Sequence, residues 1–154
     1  MLLIKNIDFE KLFHGVYDFL PCENGYMSFS RYSKSQREYL KFNDFFFVRT
    51  TFDGSITLEF STTAVEFGFE YKILGVSSKD TFDLYVNGKL FAQNKVADLA
   101  GEGKLEYSLN AGEKKVILYF PVDADVAVRN FYSDAPVYEV SKGEKVLFIG
   151  DSIT

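Results

Sequence analysis

The chain of 154 residues is long enough for one domain that buries roughly 68–70% of its unfolded surface, and its 47% hydrophobic content excludes an intrinsically disordered protein. A net charge of −5 without a concentrated basic face argues against nucleic-acid binding, and a single cysteine, Cys22, excludes an intramolecular disulfide and a metal site of several cysteines. Because the N-terminal apolar run is too short for a signal peptide and no segment approaches the roughly 20 apolar residues of a transmembrane helix, we expect a cytoplasmic protein without membrane contact.

The first predicted elements are two strands separated by a short helix. Aromatic-rich strands are predicted over residues 26–32 and 45–50. Residues 35–41 between them predict the only helix, because Ser33 or Ser35 can cap it and the residues that follow include strong helix formers.

The middle of the chain alternates between apolar and polar residues. Residues 55–61 show this period of two, and residues 64–74 show it most clearly, since every second residue from Val65 to Ile73 is a large apolar one. Both segments therefore predict strands with one buried face.

A hairpin and three further strands follow. Asn87-Gly88 separates residues 82–86 from residues 89–93, and it predicts a type I′ turn because both central positions of that turn need a positive φ. Further strands are predicted over residues 105–109, 116–122 and 126–132, of which 116–122 is apolar on both faces and central.

The strand pattern as a whole predicts a mainly β fold. About eight or nine strands at a spacing of roughly 8–12 residues are typical of an antiparallel sandwich or barrel. The connections over residues 34–44 and 94–103 are longer than meander turns. We therefore expect an antiparallel, jelly-roll-like β-sandwich.

The sequence changes character near its C-terminal end. Residues 134–144 contain proline, glycine and several charges, which are typical of a linker. Residues 146–149 are apolar throughout, which predicts a fully buried strand of an α/β domain. We divide the chain into a β-sandwich module (1–133), a linker (134–144) and the start of a truncated second domain (145–154).

That last strand runs into Gly150, Asp151 and Ser152, a tight turn with a serine at its tip. A serine nucleophile at the end of a parallel strand needs this arrangement, although Gly-Asp-Ser alone is also common in solvated turns. With the aliphatic strand before it and Ile153 after it, the stretch resembles the first conserved block of the SGNH (GDSL-type) hydrolases. The resemblance implies a flavodoxin-like α/β catalytic domain in which Ser152 is the nucleophile.

A second resemblance covers most of the chain. Residues 31–39, 48–50 and 54–62 look like the N-terminal β-sandwich module that precedes the catalytic domain in a subgroup of bacterial SGNH esterases. Carbohydrate acetyl esterases with a jelly-roll module share this layout, which implies a carbohydrate ester or another small ester as substrate.

The resemblance also implies a mechanism without metal or cofactor. Ser152 attacks an ester carbonyl, a histidine of an Asp-x-x-His block takes its proton, and backbone N–H groups, including that of Ser152, hold the oxyanion together with an asparagine side chain. The sequence contains neither the Asp-x-x-His block nor the block that supplies the asparagine. We therefore expect the chain alone to be inactive and the missing catalytic domain to be its partner.

Other candidate residues favour structural roles. His14 is the only histidine, and the family's base follows the serine, so a satisfied histidine near a strand is the preferred interpretation. Asp123, Asp125 and Asp134 lack the glycine and glutamate that complete a calcium loop, which favours a solvated turn.

The sequence leaves three questions open. Arg31 and Arg49 are either ion-pair or cation–π anchors or they line a groove toward the catalytic domain. The module itself either binds glycan or is purely structural. Most of the aromatic rings have inward parity, which favours a core role: Phe60, Phe67, Phe69 and Phe82. The apolar C-terminal strand either pairs with a sandwich edge or forms a homodimer with its copy.

Overall fold

The computed structural model describes residues 2–3, 9–76 and 80–143. They fold into two facing antiparallel sheets with two short α-helices, α1 (Lys34–Leu40) and α2 (Asp44–Arg49), and three 3₁₀ helices (Phe9–Leu12, Glu23–Gly25 and Val96–Asp98). The strands in this part of the chain are β1 (Leu2–Leu3), β2 (Phe13–His14), β3 (Asp18–Pro21), β4 (Met27–Ser30), β5 (Thr57–Thr62), β6 (Glu66–Val76), β7 (Thr81–Val86), β8 (Lys89–Lys95), β9 (Glu102–Ser108), β10 (Lys114–Tyr119), β11 (Ala124–Ser133) and β12 (Val137–Glu139).

The strand order is that of a jelly roll. The first sheet has the order β3-β4-β11-β6-β9 with β1 beside β11, and the second has the order β12-β5-β10-β7-β8 with β2 beside β5. The central pairs are nested in the sequence, since β7 pairs with β8, β6 with β9, β5 with β10 and β4 with β11. Successive pairs alternate between the sheets, as in a long ribbon rolled onto itself. The predicted jelly-roll-like β-sandwich is confirmed.

The core lies between the two sheets and is rich in aromatic rings. Phe60, Phe69 and Phe82 are each 0% exposed, and Phe67 is 1% exposed. The ring centroids of Phe60 and Phe67 lie 5.0 Å apart, and those of Phe69 and Phe82 lie 5.9 Å apart. Both contacts join a strand of one sheet to a strand of the other, so the inward parity predicted for these rings is confirmed.

The predicted helix is present as α1, and its cap explains where it begins. The Ser33 hydroxyl accepts a hydrogen bond from the Gln36 N–H at 3.3 Å, and the Gln36 side chain accepts one from the Ser33 N–H at 2.8 Å. This reciprocal pair is a capping box, which satisfies two backbone donors that a helix start otherwise leaves free.

The strand predicted over residues 45–50 is wrong, because these residues form α2. The Asn43 side chain accepts hydrogen bonds from the N–H groups of Phe45 and Phe46 at 3.0 and 3.3 Å and so begins the helix. The prediction followed the strand preference of phenylalanine and valine, which depends on a neighbouring strand to pack against. Within the described residues, no strand pairs with this segment.

The hairpin prediction is confirmed in detail. β7 and β8 are joined by Asn87 and Gly88, whose φ angles are 48° and 76°. Both angles lie in the left-handed region that a type I′ turn requires. The described strands outnumber the eight or nine predicted because β1, β2, β3 and β12 are only two to four residues long.

Part of the segment predicted as a linker is attached to the second sheet. β12 pairs with β5, and the Lys142 Nζ lies 2.7 Å from the carboxylate of Glu59. Leu58 and Phe60 point into the core, so Glu59 points outward and Lys142 lies on the outer side of β5. The division into module, linker and second domain stays a prediction. None of the described helices is long and apolar enough to cross a membrane.

Candidate functional site

The predicted nucleophile block lies outside the described residues. Gly150, Asp151 and Ser152 are not among them, nor is the strand predicted over residues 146–149. The nucleophile turn and the pairing of that strand therefore stay predictions. The candidate sites that the structure describes lie on the sandwich itself.

His14 lies in β2, directly opposite Thr57 of β5. It faces the buried carboxylate of Glu59, which accepts hydrogen bonds from the Thr57 hydroxyl at 2.9 Å and from Lys142 at 2.7 Å. Burial raises the pKa of Glu59, but the hydrogen bonds from Lys142 and Thr57 outweigh it and the pKa is lowered overall. His14 is thus part of a strand pair beside a carboxylate that is already engaged.

Asp123, Asp125 and Asp134 do not form one cluster. Asp134 follows the end of β11, where its carboxylate accepts hydrogen bonds from the N–H groups of Val65 and Glu66 at 2.9 Å each. These bonds, that from Glu66 first, lower the pKa of Asp134. Asp123 and Asp125 lie at the other end of the strand. Among the described residues, no three histidine, cysteine or acidic side chains are arranged to hold a metal ion.

A buried carboxylate that the sequence did not single out, Asp53, connects the loop before β5 to β11. Its side chain accepts a hydrogen bond from the Val126 N–H at 2.9 Å, and its own N–H donates to the Ala124 carbonyl at 2.9 Å. Asp53 is 0% exposed. Burial and, second, the charge of Asp125 raise the pKa of Asp53 well above its usual range, although Arg31 nearby lowers it. The signal was absent from the sequence because only the tertiary fold buries this turn.

The two arginines left open by the sequence both lie over aromatic rings. The Arg31 guanidinium carbon lies 5.5 Å from the centroid of the Tyr32 ring, and that of Arg49 lies 3.8 Å from the centroid of the Phe45 ring. These are cation–π contacts, so the anchor role is present in both cases. Arg49 makes its contact at the end of α2 and not at the end of a strand.

The two helices and the turn between them carry exposed apolar side chains, which we call the aromatic patch. Soluble proteins rarely expose several large apolar side chains together, and where they do, the exposed surface often contacts another molecule or domain. A shallow pocket of about 320 Å³ beside α1 adjoins the patch. The patch consists of Tyr39, Phe42, Phe45, Phe46 and Val48, which are 75%, 68%, 60%, 49% and 49% exposed.

A second open concavity, the sheet groove, lies on the outer face of the second sheet where β7 and β10 pair. Its volume is about 310 Å³. Leu84 and Leu118 point into the core, so the neighbouring Tyr85 and Tyr119 point outward and form its aromatic wall. The rest of the lining is partly apolar, from Phe120 and Val122, and partly polar, from Ser55, Asp80, Thr81 and Asp83.

Hydrogen bonds hold the carboxylates of the sheet groove in place. Asp83 accepts one from the Gln93 side chain at 2.9 Å. Asp80 accepts one from the Asp123 N–H at 2.7 Å and one from the Thr81 N–H at 3.3 Å. These acceptors are therefore positioned before any ligand arrives.

The sheet groove could have been found from strand parity. Most of the aromatic rings have inward parity and belong to the core, but Tyr85 and Tyr119 each follow an inward leucine and therefore have outward parity. What the sequence could not supply is the register, which places Asp83 directly opposite Tyr119.

Solved structures with the same fold include enzymes of ester chemistry. A salicylyl-acyltransferase from a tetracycline biosynthetic pathway matches with a TM-score of 0.73 and 17% identity, over 85% of this chain and 39% of that chain. A protein of Bacteroides ovatus described as a GDSL-like lipase matches with a TM-score of 0.56 and 14% identity, over 75% of this chain and 38% of that one. An acetyl xylan esterase of the rumen bacterium Butyrivibrio proteoclasticus matches with a TM-score of 0.52 and 14% identity, over 92% and 33% of the two chains.

These likenesses establish a shared β-sandwich fold. The chain spans only about a third to two fifths of the length of these three proteins, so it matches only a part of each. No protein-family model and no curated protein matches the sequence.

Proposed function

We propose that this chain is the N-terminal accessory module of an SGNH-type serine esterase, a carbohydrate or small-ester deacetylase, joined to the first block of the catalytic domain. The observation that carries the proposal is the order of its parts. A jelly-roll sandwich with the fold of part of an acetyl xylan esterase and of a GDSL-like lipase precedes an apolar run and Gly-Asp-Ser in one sequence.

In this proposal Ser152 is the nucleophile. Its hydroxyl attacks the ester carbonyl while a histidine of the missing catalytic domain takes its proton, which yields an acyl-enzyme and the free alcohol. Water then releases the acid by the reverse proton path. The Ser152 N–H is one of the donors that hold the oxyanion, and Gly150 and Asp151 shape the turn.

His14 does not serve as the base in this scheme. It belongs to a strand pair with β5 and faces Glu59, which is engaged by Lys142 and Thr57. The 154 residues therefore hold the nucleophile but not the complete proton-transfer machinery, and the isolated chain is inactive.

The aromatic patch is an argument for a partner domain that packs against the module. Five large apolar side chains exposed within ten residues are costly in water unless another surface buries them. The similar proteins are about two to three times the length of this chain, and in this proposal a following catalytic domain supplies such a surface. A cytoplasmic location is part of the same proposal.

The test is labelling with a fluorophosphonate probe, which reacts with activated serines. We expect no labelling of the 154-residue chain and labelling of a chain extended through the downstream reading frame. Ser152→Ala abolishes the label in the extended chain, whereas His14→Ala, the matched control, leaves it unchanged. An unlabelled extended chain would overturn the proposed hydrolase, and a label on the short chain that Ser152→Ala removes would overturn its inactivity.

A further inference from the structure

We propose that the sheet groove binds a neutral saccharide. The proposal goes beyond the nucleophile block, since it concerns only the described sandwich and does not depend on Ser152. Its basis is the coincidence, in one concavity, of exposed aromatic faces, fixed hydrogen-bond acceptors and an uncommon backbone conformation.

The size of the sheet groove suits a ligand of one or two rings. Its volume of about 310 Å³ is at the lower end of the roughly 300–1,000 Å³ of small-molecule sites. The groove is open at the surface, so a longer chain can continue beyond it.

The aromatic wall offers the apolar part of the recognition. The ring centroids of Tyr85 and Tyr119 lie 5.5 Å apart at an angle of 71°, so the two rings pack edge to face and hold each other in place. Tyr119 is 43% exposed and therefore accessible. A pyranose ring has C–H groups on its faces and hydroxyls around its rim, which match an aromatic face that ends in a phenol hydroxyl.

The polar lining offers the complementary part. A carboxylate has about four acceptor positions, and the hydrogen bonds to Asp80 and Asp83 use only some of them. The remaining positions can accept hydrogen bonds from hydroxyl donors. No lysine or arginine is among the described residues that line the groove, so an anionic ligand is disfavoured.

The rim has a conformation that costs free energy. Ser55 has a φ of 67°, in the left-handed region that residues other than glycine, asparagine and aspartate rarely adopt. The other described non-glycine residues with positive φ are Asn24, Asn87 and Asn130, for which this region is easier. Such outliers cluster at ligand sites, and this one places the Ser55 side chain at the groove.

The groove floor is rigid, which favours binding. β10 lies between β5 and β7 within the second sheet. The Phe120 N–H donates to the Ile56 carbonyl at 3.0 Å, so the loop that carries Ser55 is fixed to the end of β10. A preformed site avoids the entropy of ordering loops on binding.

The experiment uses the 154-residue chain and follows backbone amide resonances by NMR. Xylotetraose, cellotetraose and mannotetraose are titrated separately to 10 mM. We expect at least one of them to shift resonances of β7 and β10 in a saturable manner. Tyr119→Ala weakens that binding roughly three- to tenfold, the usual worth of an aromatic contact. Asp83→Asn weakens it too, while leaving a similar shape.

Tyr138→Ala is the matched control, because Tyr138 is a 62% exposed tyrosine of the same sheet that does not line the groove. It should bind as the wild type does. The absence of shifts with all three sugars, or undiminished binding by Tyr119→Ala, would overturn the proposal. So would preferential binding of tetramethylammonium at the same resonances, since carboxylates beside aromatic rings also suit a cation. None of these results bears on fluorophosphonate labelling of the extended chain, so the two proposals fail separately.

Discussion

Asp125 provides a test of the electrostatics at the start of β11, through the substitution Asp125→Asn. Burial raises the pKa of Asp125 from 3.8 to about 6, against a lowering by the hydrogen bond with Thr51. Because the pKa is higher in the folded state than in the unfolded state, the folded state binds the proton more tightly. The contribution to stability is therefore complete below about pH 3.8 and is lost as the pH rises through about 6.

The magnitude follows from this difference. An interval from 3.8 to about 6 corresponds to about 3 kcal/mol at 1.36 kcal/mol per pH unit. Part of the side chain reaches solvent, which screens the penalty, so we expect Asp125→Asn to raise the free energy of unfolding at pH 7 by about 1–2 kcal/mol. Asparagine retains an oxygen that can accept from Thr51, and it removes a charge that raises the pKa of Asp53.

The assay is urea unfolding followed by far-ultraviolet circular dichroism between pH 3.5 and pH 7.5. At pH 7 we expect the midpoint of Asp125→Asn to exceed that of the wild type by about 0.5–1 M, given slopes of about 2 kcal/mol per M. The gain should shrink toward zero near pH 3.5. Asp123→Asn removes the same charge two residues earlier and is the control for net charge. A gain that does not depend on pH, or a less stable variant at pH 7, would refute the reasoning.

Two further substitutions, each with a matched control, test the packing. Gly15→Ala should lower the free energy of unfolding by more than about 2 kcal/mol in urea unfolding, because Gly15 has a φ of 79° and an added Cβ collides with a backbone carbonyl of the loop before β5. Its control is Gly25→Ala, which should lower the free energy of unfolding by only about 1 kcal/mol, because Gly25 has a similar φ of 75° but open space around it. Phe60→Ala should lower the free energy of unfolding by about 3–5 kcal/mol by the same measurement, since the Phe60 side chain is 0% exposed. Its control is Phe46→Ala, which should change the free energy of unfolding by less than about 0.5 kcal/mol because Phe46 is 49% exposed. Equal effects of the two substitutions would contradict the described core.

Local signals in the sequence predicted the elements whose causes are local. Asn87-Gly88 sets its own turn, and Ser33 caps its own helix, so both predictions agree with the structure. The alternation in residues 64–74 predicted β6 for the same reason. The jelly-roll-like sandwich was predicted from the number and spacing of these elements together with the long connections, whereas the individual strand pairs other than β7 with β8 were not.

Features that depend on distant neighbours could not be predicted in this way. The aromatic residues of α2 favour a strand by their composition alone. That preference depends on a neighbouring strand, and within the described residues no strand pairs with this segment. The burial of Asp53 depends on β11, which is remote in the sequence. The sheet groove needed the register of β7 against β10, whereas the proposed nucleophile at Ser152 was visible from a contiguous motif alone.

The nested strand pairs also determine how much of the chain the ribosome must synthesise before the sandwich can fold. β11 lies between β4 and β6 in the first sheet. It pairs with β4 on one side, through Val128 and Met27, and with β6 on the other side. The first sheet therefore lacks its middle strand until nearly the whole sandwich has been synthesised, and its apolar faces depend on that strand for cover. Pairings this distant fold slowly, and incomplete sheets tend to aggregate. Any domain encoded after residue 143 would thus emerge beside a sandwich that has only just closed.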